Sequence, residues 1–173
     1  MNNEEIEGAK VFFNKGQCYT CHSGPGFNGM DFHALGMKDL EGPEVMTVVD
    51  DATKKGRGGF TGNPDDDYKF KTPQLYNLKG LQFFGHGGSF SSVKEIIEYK
   101  NEAIAENTDV PANKLSPFFE PLHLTETEID QLTLFIENSL YDDNLMRYVP
   151  ESLPSGNCFP NADFMSSSDL GCN

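Results

Sequence analysis

Two cysteines and a histidine lie within five residues near the start of the chain, as Cys18-Tyr19-Thr20-Cys21-His22. This C-x-x-C-H spacing is typical of covalent haem attachment, in which both thiols add to the vinyl groups and the adjoining imidazole reaches the iron. Once the thioethers have formed, the imidazole has little freedom to leave one axial position. The motif therefore predicts a fold built around one haem c, with Cys18 and Cys21 as attachment residues and His22 as an iron ligand.

Two other kinds of site use closely spaced cysteines. A redox-active Cys-x-x-Cys pair belongs with alternating strands and helices, a pattern that this sequence lacks. A zinc site needs a second pair of cysteines or histidines at short spacing, and the remaining cysteines, Cys158 and Cys172, are too far apart for a usual half-site. Haem attachment is the interpretation that the motif favours.

The acidic composition excludes several classes of partner. The chain has 173 residues, with 27 acidic and 13 basic side chains, and its net charge is -14. Such a charge repels phosphate backbones and anionic lipid headgroups, so we expect no nucleic-acid partner. No segment approaches the roughly 20 apolar residues that span a bilayer, so we expect no membrane insertion. We expect a redox protein partner with a basic docking patch, whose association weakens as salt rises.

The last two cysteines, Cys158 and Cys172, lie in a segment rich in Ser, Asn, Asp and Pro. A disulfide between them would restrain a segment that has little core of its own, and two free surface thiols are the alternative. We therefore expect a haem domain over residues 1–145 and an extended tail over residues 146–173, closed by that disulfide. The disulfide predicts an oxidising compartment, and so a periplasmic or otherwise exported protein.

Apolar periodicity predicts a mainly α-helical domain with long loops. One helix over residues 4–15 leads into the cysteine motif, and another, capped by Thr125 with Glu128 three residues on, closes the core. The segment from Gly24 to Asp67 is dense in Gly, Pro and Asp and has no sustained period, so we expect a mostly irregular loop around the cofactor. These features predict a class I-like cytochrome c domain, with irregular loops wrapping one haem and an extended tail.

The sixth position on the iron is decisive for function, because a filled position favours electron transfer and a free one permits peroxide or gas chemistry. Lys100 is the first candidate, since it falls near the middle of the apolar face of a helix predicted from about Ser92 to Glu106. The other residues of that face are Val93, Ile96, Ile97 and Ile104. Apolar surroundings lower the pKa of a lysine and favour the neutral amine that can bind iron.

Several alternatives compete with Lys100 as the second ligand. A lysine at a helix edge can instead extend its ammonium group to solvent. Other side chains in the sequence are of types that bind iron, although methionines and lone histidines are more often core or loop residues. These candidates are Tyr99, Met37, Met30, Met46 and His86.

Six further segments follow one another in a specific order along the chain. They are Phe12-Phe13-Asn14-Lys15-Gly16-Gln17, Ser23-Gly24-Pro25, Phe32-His33-Ala34-Leu35-Gly36-Met37, Phe70-Lys71-Thr72-Pro73-Gln74-Leu75, Gly85-His86-Gly87-Gly88 and Leu124-Thr125. Together with the C-x-x-C-H motif, this order resembles the C-terminal haem domain of the di-haem cytochrome c peroxidase and MauG-like family. The resemblance covers nearly the whole chain.

The resemblance carries its own implications for the site. In such domains the second axial ligand is a methionine or a tyrosine on the helix after the His-Gly turn, and counting from His86 places that position at Lys100. Family members hold two haems, one that accepts electrons and one where peroxide is cleaved, whereas this chain has one attachment motif. They also bind calcium between their haem domains. The run Asp65-Asp66-Asp67 could be a remnant of a calcium site, although a solvated loop is the first interpretation.

The sequence thus predicts a single-haem electron-transfer domain with six-coordinate iron, which passes single electrons to or from a redox partner and is not an enzyme as this chain alone. The first alternative is the electron-relay half of a di-haem cytochrome c peroxidase or MauG-like enzyme, next to a second haem domain. A weaker alternative is a haem-based sensor whose distal ligand leaves the iron when a small molecule arrives.

Overall fold

A computed structural model describes residues 1–42, 45, 49–144 and 153–155. In this part of the chain the helices are α1 (Asn3–Phe13), α2 (Asp51–Lys54), α3 (Arg57–Thr61), α4 (Val93–Glu102) and α5 (Glu126–Leu134). Tighter 3₁₀ turns lie at Cys18–Thr20, Pro64–Asp66 and Ala112–Lys114, and a π-helical turn over Phe135–Ser139 extends α5. Strands β1 (Phe32–His33) and β2 (Phe70–Lys71) pair antiparallel, with His33 opposite Phe70. The structure is rich in helix and has few strands, as the sequence predicts.

The helices α1 and α5 pack against each other at the centre of the unit Met1–Tyr141. Gly8 lies at their closest approach, where a Cβ atom would overlap the carbonyl oxygen of Gln131. Phe12 is fully buried, and its ring meets that of Phe135 edge to face, with centroids 5.5 Å apart. Full burial of such a side chain contributes about 1.5–3 kcal/mol. Helices α1 and α5 are therefore packed firmly together, and α1 ends shortly before the cysteine motif.

The capping box predicted at the start of α5 is confirmed. Thr125 Oγ1 accepts a hydrogen bond from the Glu128 N–H at 3.3 Å, and the Glu128 carboxylate accepts from the Thr125 N–H at 2.8 Å. The same carboxylate accepts from Lys15 Nζ at 2.6 Å. Because Lys15 lies between α1 and the cysteine motif, this ion pair ties the start of α5 to the site.

Helix α4 is shorter than the sequence predicts. Its N-terminus is capped by Ser92, whose Oγ accepts from the Glu95 N–H at 3.1 Å. It ends before Ala103, which adopts a left-handed conformation with φ 52°. Ile104, expected on the buried face, is 68% exposed. The expected helix extends too far because its apolar spacing continues past a residue that breaks the helical backbone.

The segment from Gly24 to Asp67 contains short elements that the sequence does not predict. Besides β1, it holds α2, α3 and a 3₁₀ turn. Asp50 caps α2 by accepting from the Thr53 N–H at 2.8 Å, and Gly56, with φ 54°, separates α2 from α3. These helices are four and five residues long, too short to show an apolar period.

Two predictions concern the end of the chain. The disulfide between Cys158 and Cys172 and most of the tail over residues 146–173 lie outside the described residues. A second unit begins at Asp142, where the Asn144 N–H donates to the Asp142 carboxylate at 3.0 Å.

Among the described residues, no helix is long and apolar enough to cross a membrane.

Candidate haem site

The cysteine motif forms a tight 3₁₀ turn shortly after α1. Gln17 takes a left-handed conformation with φ 50°, and the chain then turns through Cys18–Thr20. The carbonyl oxygen of Cys18 accepts from the N–H groups of Cys21, at 3.2 Å, and His22, at 2.8 Å. Both thiols are free, and burial raises the pKa of Cys18 to about 12, which keeps it a neutral thiol. One turn therefore carries both thiols and the imidazole.

Two backbone carbonyl groups fix the ring of His22. Its Nδ1 lies 3.0 Å from the carbonyl oxygen of Phe27 and 3.1 Å from that of Pro73. Because a carbonyl oxygen only accepts hydrogen bonds, Nδ1 carries the proton and Nε2 keeps its lone pair. Burial lowers the pKa of His22, which also favours the neutral ring. A neutral imidazole with its other nitrogen anchored in this way is the usual form of a metal-binding histidine.

Lys100 lies on α4 in largely apolar surroundings. Its Nζ donates to the carbonyl oxygen of Phe118 at 3.3 Å and lies 5.1 Å from the centre of the Phe119 ring. Burial lowers the pKa of Lys100, although the nearby cysteines oppose that shift. The pKa of His22 depends mainly on burial and on its two carbonyl hydrogen bonds, and the charge of Lys100 lowers it further. The two side chains are therefore within electrostatic range of each other. Ligation of iron by Lys100 stays a prediction.

Tyr99 is more deeply buried than its neighbour on α4, with 8% of its surface exposed. Its hydroxyl donates to the carbonyl oxygen of Leu35 at 2.6 Å and accepts from the Glu106 N–H at 3.3 Å. Burial raises the pKa of Tyr99 to about 12. Since a tyrosine ligand must lose its proton, these contacts favour a packing role for Tyr99.

The other candidate ligands have different surroundings. Met37 packs against the buried aromatic cluster of Phe90, Tyr99 and Phe119. The ring of His86 stacks on Phe70 with centroids 3.6 Å apart, and its Nε2 lies 3.9 Å from a carboxylate oxygen of Asp39. Met30 is 76% exposed, and Met46 lies outside the described residues. The packing of Met37, the contacts of His86 and the exposure of Met30 are each explained without a bond to iron.

His33 is a polar residue of this region that the sequence reasoning missed. Its Nδ1 lies 3.2 Å from Ser116 Oγ, whereas its Nε2 is buried without a hydrogen-bond partner. Burial lowers the pKa of His33, and the charge of Lys100 contributes to that shift. His33 belongs to one of the segments that carry the family resemblance, and that membership is the sequence feature that could have identified it.

The aspartates considered for calcium instead form ion pairs and hydrogen bonds. Asp66 lies 3.2 Å from Arg57 Nε and accepts from the Thr61 hydroxyl at 3.1 Å. Asp67 lies 3.9 Å from Lys55 Nζ. The described residues contain no group of three His, Cys, Asp or Glu side chains that could hold a metal ion. Calcium binding is therefore unsupported, and the interpretation as a solvated loop is preferred.

Curated relatives match most of the chain. Cytochrome-c peroxidase IdrP1 of Denitromonas iodatirespirans is 28% identical over 156 residues, which cover 79% of this chain and 40% of the relative. The enzyme of the same name from Pseudomonas sp. (strain SCT) is 26% identical over 161 residues, with the same two coverages. The chain thus spans about 40% of the length of these relatives. No protein-family model matches it.

Solved structures that are similar to this chain identify its fold type. A MauG-like protein associated with microbial copper homeostasis superposes with a TM-score of 0.66 and 24% identity, over 83% of this chain and 48% of that one. The resemblance to the di-haem cytochrome c peroxidase and MauG-like family is confirmed. The di-haem peroxidase BthA from Burkholderia thailandensis superposes with a TM-score of 0.57 and 19% identity, over 83% of this chain and 43% of that one. The fold is therefore of the di-haem peroxidase type.

These relatives bear on the functions predicted from the sequence. They favour the first alternative, a haem domain of a di-haem peroxidase or MauG-like protein, over a stand-alone single-haem carrier. The residues present also fit a haem, because one turn carries two free thiols and a histidine with an available Nε2, and a half-buried lysine lies within electrostatic range of that histidine.

Proposed function

We propose that the chain is the electron-relay haem domain of a di-haem cytochrome c peroxidase or MauG-like protein. His22 carries this proposal, because two carbonyl groups hold its Nδ1 and leave Nε2 for iron beside two free thiols on the same turn. The relatives named cytochrome-c peroxidases support the same assignment, since the chain matches 40% of their length. A second haem domain would then provide the site where peroxide reacts.

Each residue of the site has a separate role. Cys18 and Cys21 would hold haem c through two thioethers, formed by addition of each S–H across a vinyl group. Nε2 of His22 would bind the iron, and the neutral amine of Lys100 would be the second iron ligand. When bound, haem c supplies one-electron redox chemistry. Two carbonyl groups orient the imidazole. Phe27 and Leu78 pack against the same core as Cys18, and this packing would help to keep water from the haem.

The finer architecture belongs to the same proposal. A class I-like cytochrome c domain would occupy residues 1–145, with α1, α4 and α5 as its frame and the loops between them around one haem. Residues 146–173 would form the disulfide-closed tail, and the protein would be exported to the periplasm. The net charge of -14 favours a redox partner with a basic docking patch.

Covalent attachment is tested by producing the chain with a haem c maturation system and denaturing it. We expect haem to stay with the unfolded wild-type chain and with Cys158→Ser, which alters a cysteine that is not part of the C-x-x-C-H motif. The double variant Cys18→Ser, Cys21→Ser should lose its haem on denaturation. Release of haem from the denatured wild type would refute covalent attachment.

The relay role is tested separately on the holoprotein. We expect a low-spin ferric spectrum, slow cyanide binding, and reduction by a basic electron donor that slows as ionic strength rises. Substantial peroxide turnover by this chain alone would contradict the relay role, and ready cyanide binding to high-spin iron would contradict six-coordination.

A further inference from the structure

A compact hydrogen-bonded group next to the candidate iron ligands has no part in the proposed iron coordination. His33, on β1, places its Nδ1 3.2 Å from Ser116 Oγ, and its ring meets the Phe118 ring edge to face, with centroids 5.7 Å apart. The Phe118 carbonyl oxygen accepts from Lys100 Nζ at 3.3 Å. The short segment from Ser116 to Phe118 therefore holds both His33 and Lys100.

The hydrogen bonds of Ser116 are compatible with a proton on Nε2 of His33. Ser116 Oγ already accepts from the Phe118 N–H at 3.3 Å. If the hydroxyl donates to Nδ1 of His33, both of its hydrogen-bonding roles are used, and the neutral ring then carries its proton on Nε2. Burial favours this neutral ring because it lowers the pKa of His33. In that tautomer Nε2–H is a buried donor without an acceptor.

Leaving that donor without a partner is unfavourable. A buried polar group without a hydrogen bond costs about 1–3 kcal/mol, so such atoms in folded proteins usually face a bound molecule or water. His33 also lies within electrostatic range of both candidate iron ligands, since charges on His33 and Lys100 each affect the pKa of His22. His33 is therefore near the candidate iron ligands without being one of them.

Two lysines line a pocket beside the same group, and Asp31 also lies within electrostatic range of His33. A surface pocket of about 540 Å³ is lined by His33 and Ser116 together with Lys69 and Lys114. Lys114 is held in place because its Nζ donates to the Pro64 carbonyl oxygen at 2.6 Å. Asp65 also lines the pocket, 3.9 Å from Lys114 Nζ, and is 91% exposed, so solvent screens its charge. A buried N–H donor beside two lysines is suited to a carboxylate.

We propose that Nε2–H of His33 donates a hydrogen bond to a propionate carboxylate of the haem, with Lys69 and Lys114 supplying positive charge around it. This inference rests on the proposed haem binding. His33 is then a positioning residue, which orients the haem edge and partly offsets the propionate charge. Because a less negative surrounding favours the reduced iron, this contact raises the reduction potential.

The test compares three variants of the holoprotein. His33→Leu removes the donor, whereas His33→Gln keeps a side-chain N–H close to the position of Nε2. His123→Asn is the matched control, since it removes an exposed histidine whose left-handed φ of 56° asparagine tolerates. The readouts are the reduction potential, from potentiometric titration, and the propionate bending bands in the resonance Raman spectrum.

We expect His33→Leu to lower the potential and shift the propionate bands, with recovery toward wild type in His33→Gln and no change in His123→Asn. An unchanged potential and unchanged bands in His33→Leu would overturn the proposal. If His33→Leu cannot be obtained with haem, Ser116→Ala decides, because it frees Nδ1 and weakens the orientation of Nε2–H. A lowered potential in Ser116→Ala would then support the proposal, and wild-type values would overturn it.

A free carboxylate could use the same donor, and added acetate distinguishes this source. The wild-type potential and Raman bands should not respond to acetate at constant ionic strength, because the propionate already occupies the site. A saturable response in the wild type that His33→Leu lacks would overturn the propionate assignment in favour of a small-anion site. Failure of the proposed haem binding is a different result, since the wild-type chain would then bind no haem at all.

Discussion

The two candidate iron ligands, His22 and Lys100, are held in contrasting ways. Two carbonyl oxygens, at 3.0 and 3.1 Å, fix the His22 ring. Lys100 ends a flexible side chain with one longer hydrogen bond, 3.3 Å to the Phe118 carbonyl oxygen, and a contact with an aromatic ring. The difference teaches that one side of the site is rigid before any cofactor enters, whereas the other can adapt. We therefore expect His22 to stay bound in both oxidation states and Lys100 to be the exchangeable ligand.

The largest effect is expected from removal of the rigid ligand. Loss of an outer partner of a metal ligand costs about 10- to 100-fold in affinity or activity, and loss of the ligand itself should cost at least as much. His22→Ala should therefore reduce the yield of low-spin holoprotein by about tenfold or more, measured by absorbance at the Soret band. A normal yield of low-spin protein would show that His22 is not the anchor of the site.

A large but more selective effect is expected from removal of Lys100, the ligand on the adaptable side of the site. Lys100→Ala should keep its covalent haem but convert the ferric iron from low to high spin, with cyanide binding at least about tenfold faster. Lys94→Ala is the control, because Lys94 lies on the same helix and pairs with Glu126 and Asp130 on α5. An unchanged EPR spectrum in Lys100→Ala would exclude Lys100 as a ligand.

A moderate effect on stability is expected from Tyr99, the neighbour of Lys100. Tyr99→Phe removes the hydrogen bonds to Leu35 and Glu106 and leaves both backbone groups without that partner. Such a change costs about 1–3 kcal/mol of unfolding free energy, measurable by urea titration. The haem spectrum should stay that of the wild type. A spectral change with unaltered stability would instead identify Tyr99 as the ligand.

The smallest effect is expected from pH, through His86. Burial lowers the pKa of His86 in the folded protein, against the charges of Asp39 and Glu106, so the unfolded chain binds its proton more readily. Stability is then fully present above the ordinary histidine pKa of about 6.5 and decreases as pH falls toward the lower folded value. Urea titrations between neutral pH and about pH 5 should show a weaker pH dependence in His86→Gln. Equal slopes in both proteins would contradict this role, and a changed haem spectrum would point to ligation by His86.

Much of the helical frame can be predicted from local sequence. The capping box of α5 is readable because Thr125 and Glu128 satisfy each other within one turn. The end of α4 is not readable, because apolar spacing continues to Ile104 while the backbone turns left-handed at Ala103. The short helices α2 and α3 cannot be predicted from the sequence either, since local hydrogen bonds rather than an apolar face define them.

The sequence by itself determined the candidate attachment group, because Cys18, Cys21 and His22 need only five consecutive residues to present their chemistry. The tertiary structure decided how that group is oriented. The second carbonyl on His22 belongs to Pro73, 51 residues away, and the partner of His33 belongs to Ser116, 83 residues away. Hydrogen bonds across such separations depend on how the chain folds back on itself, and no local period encodes them.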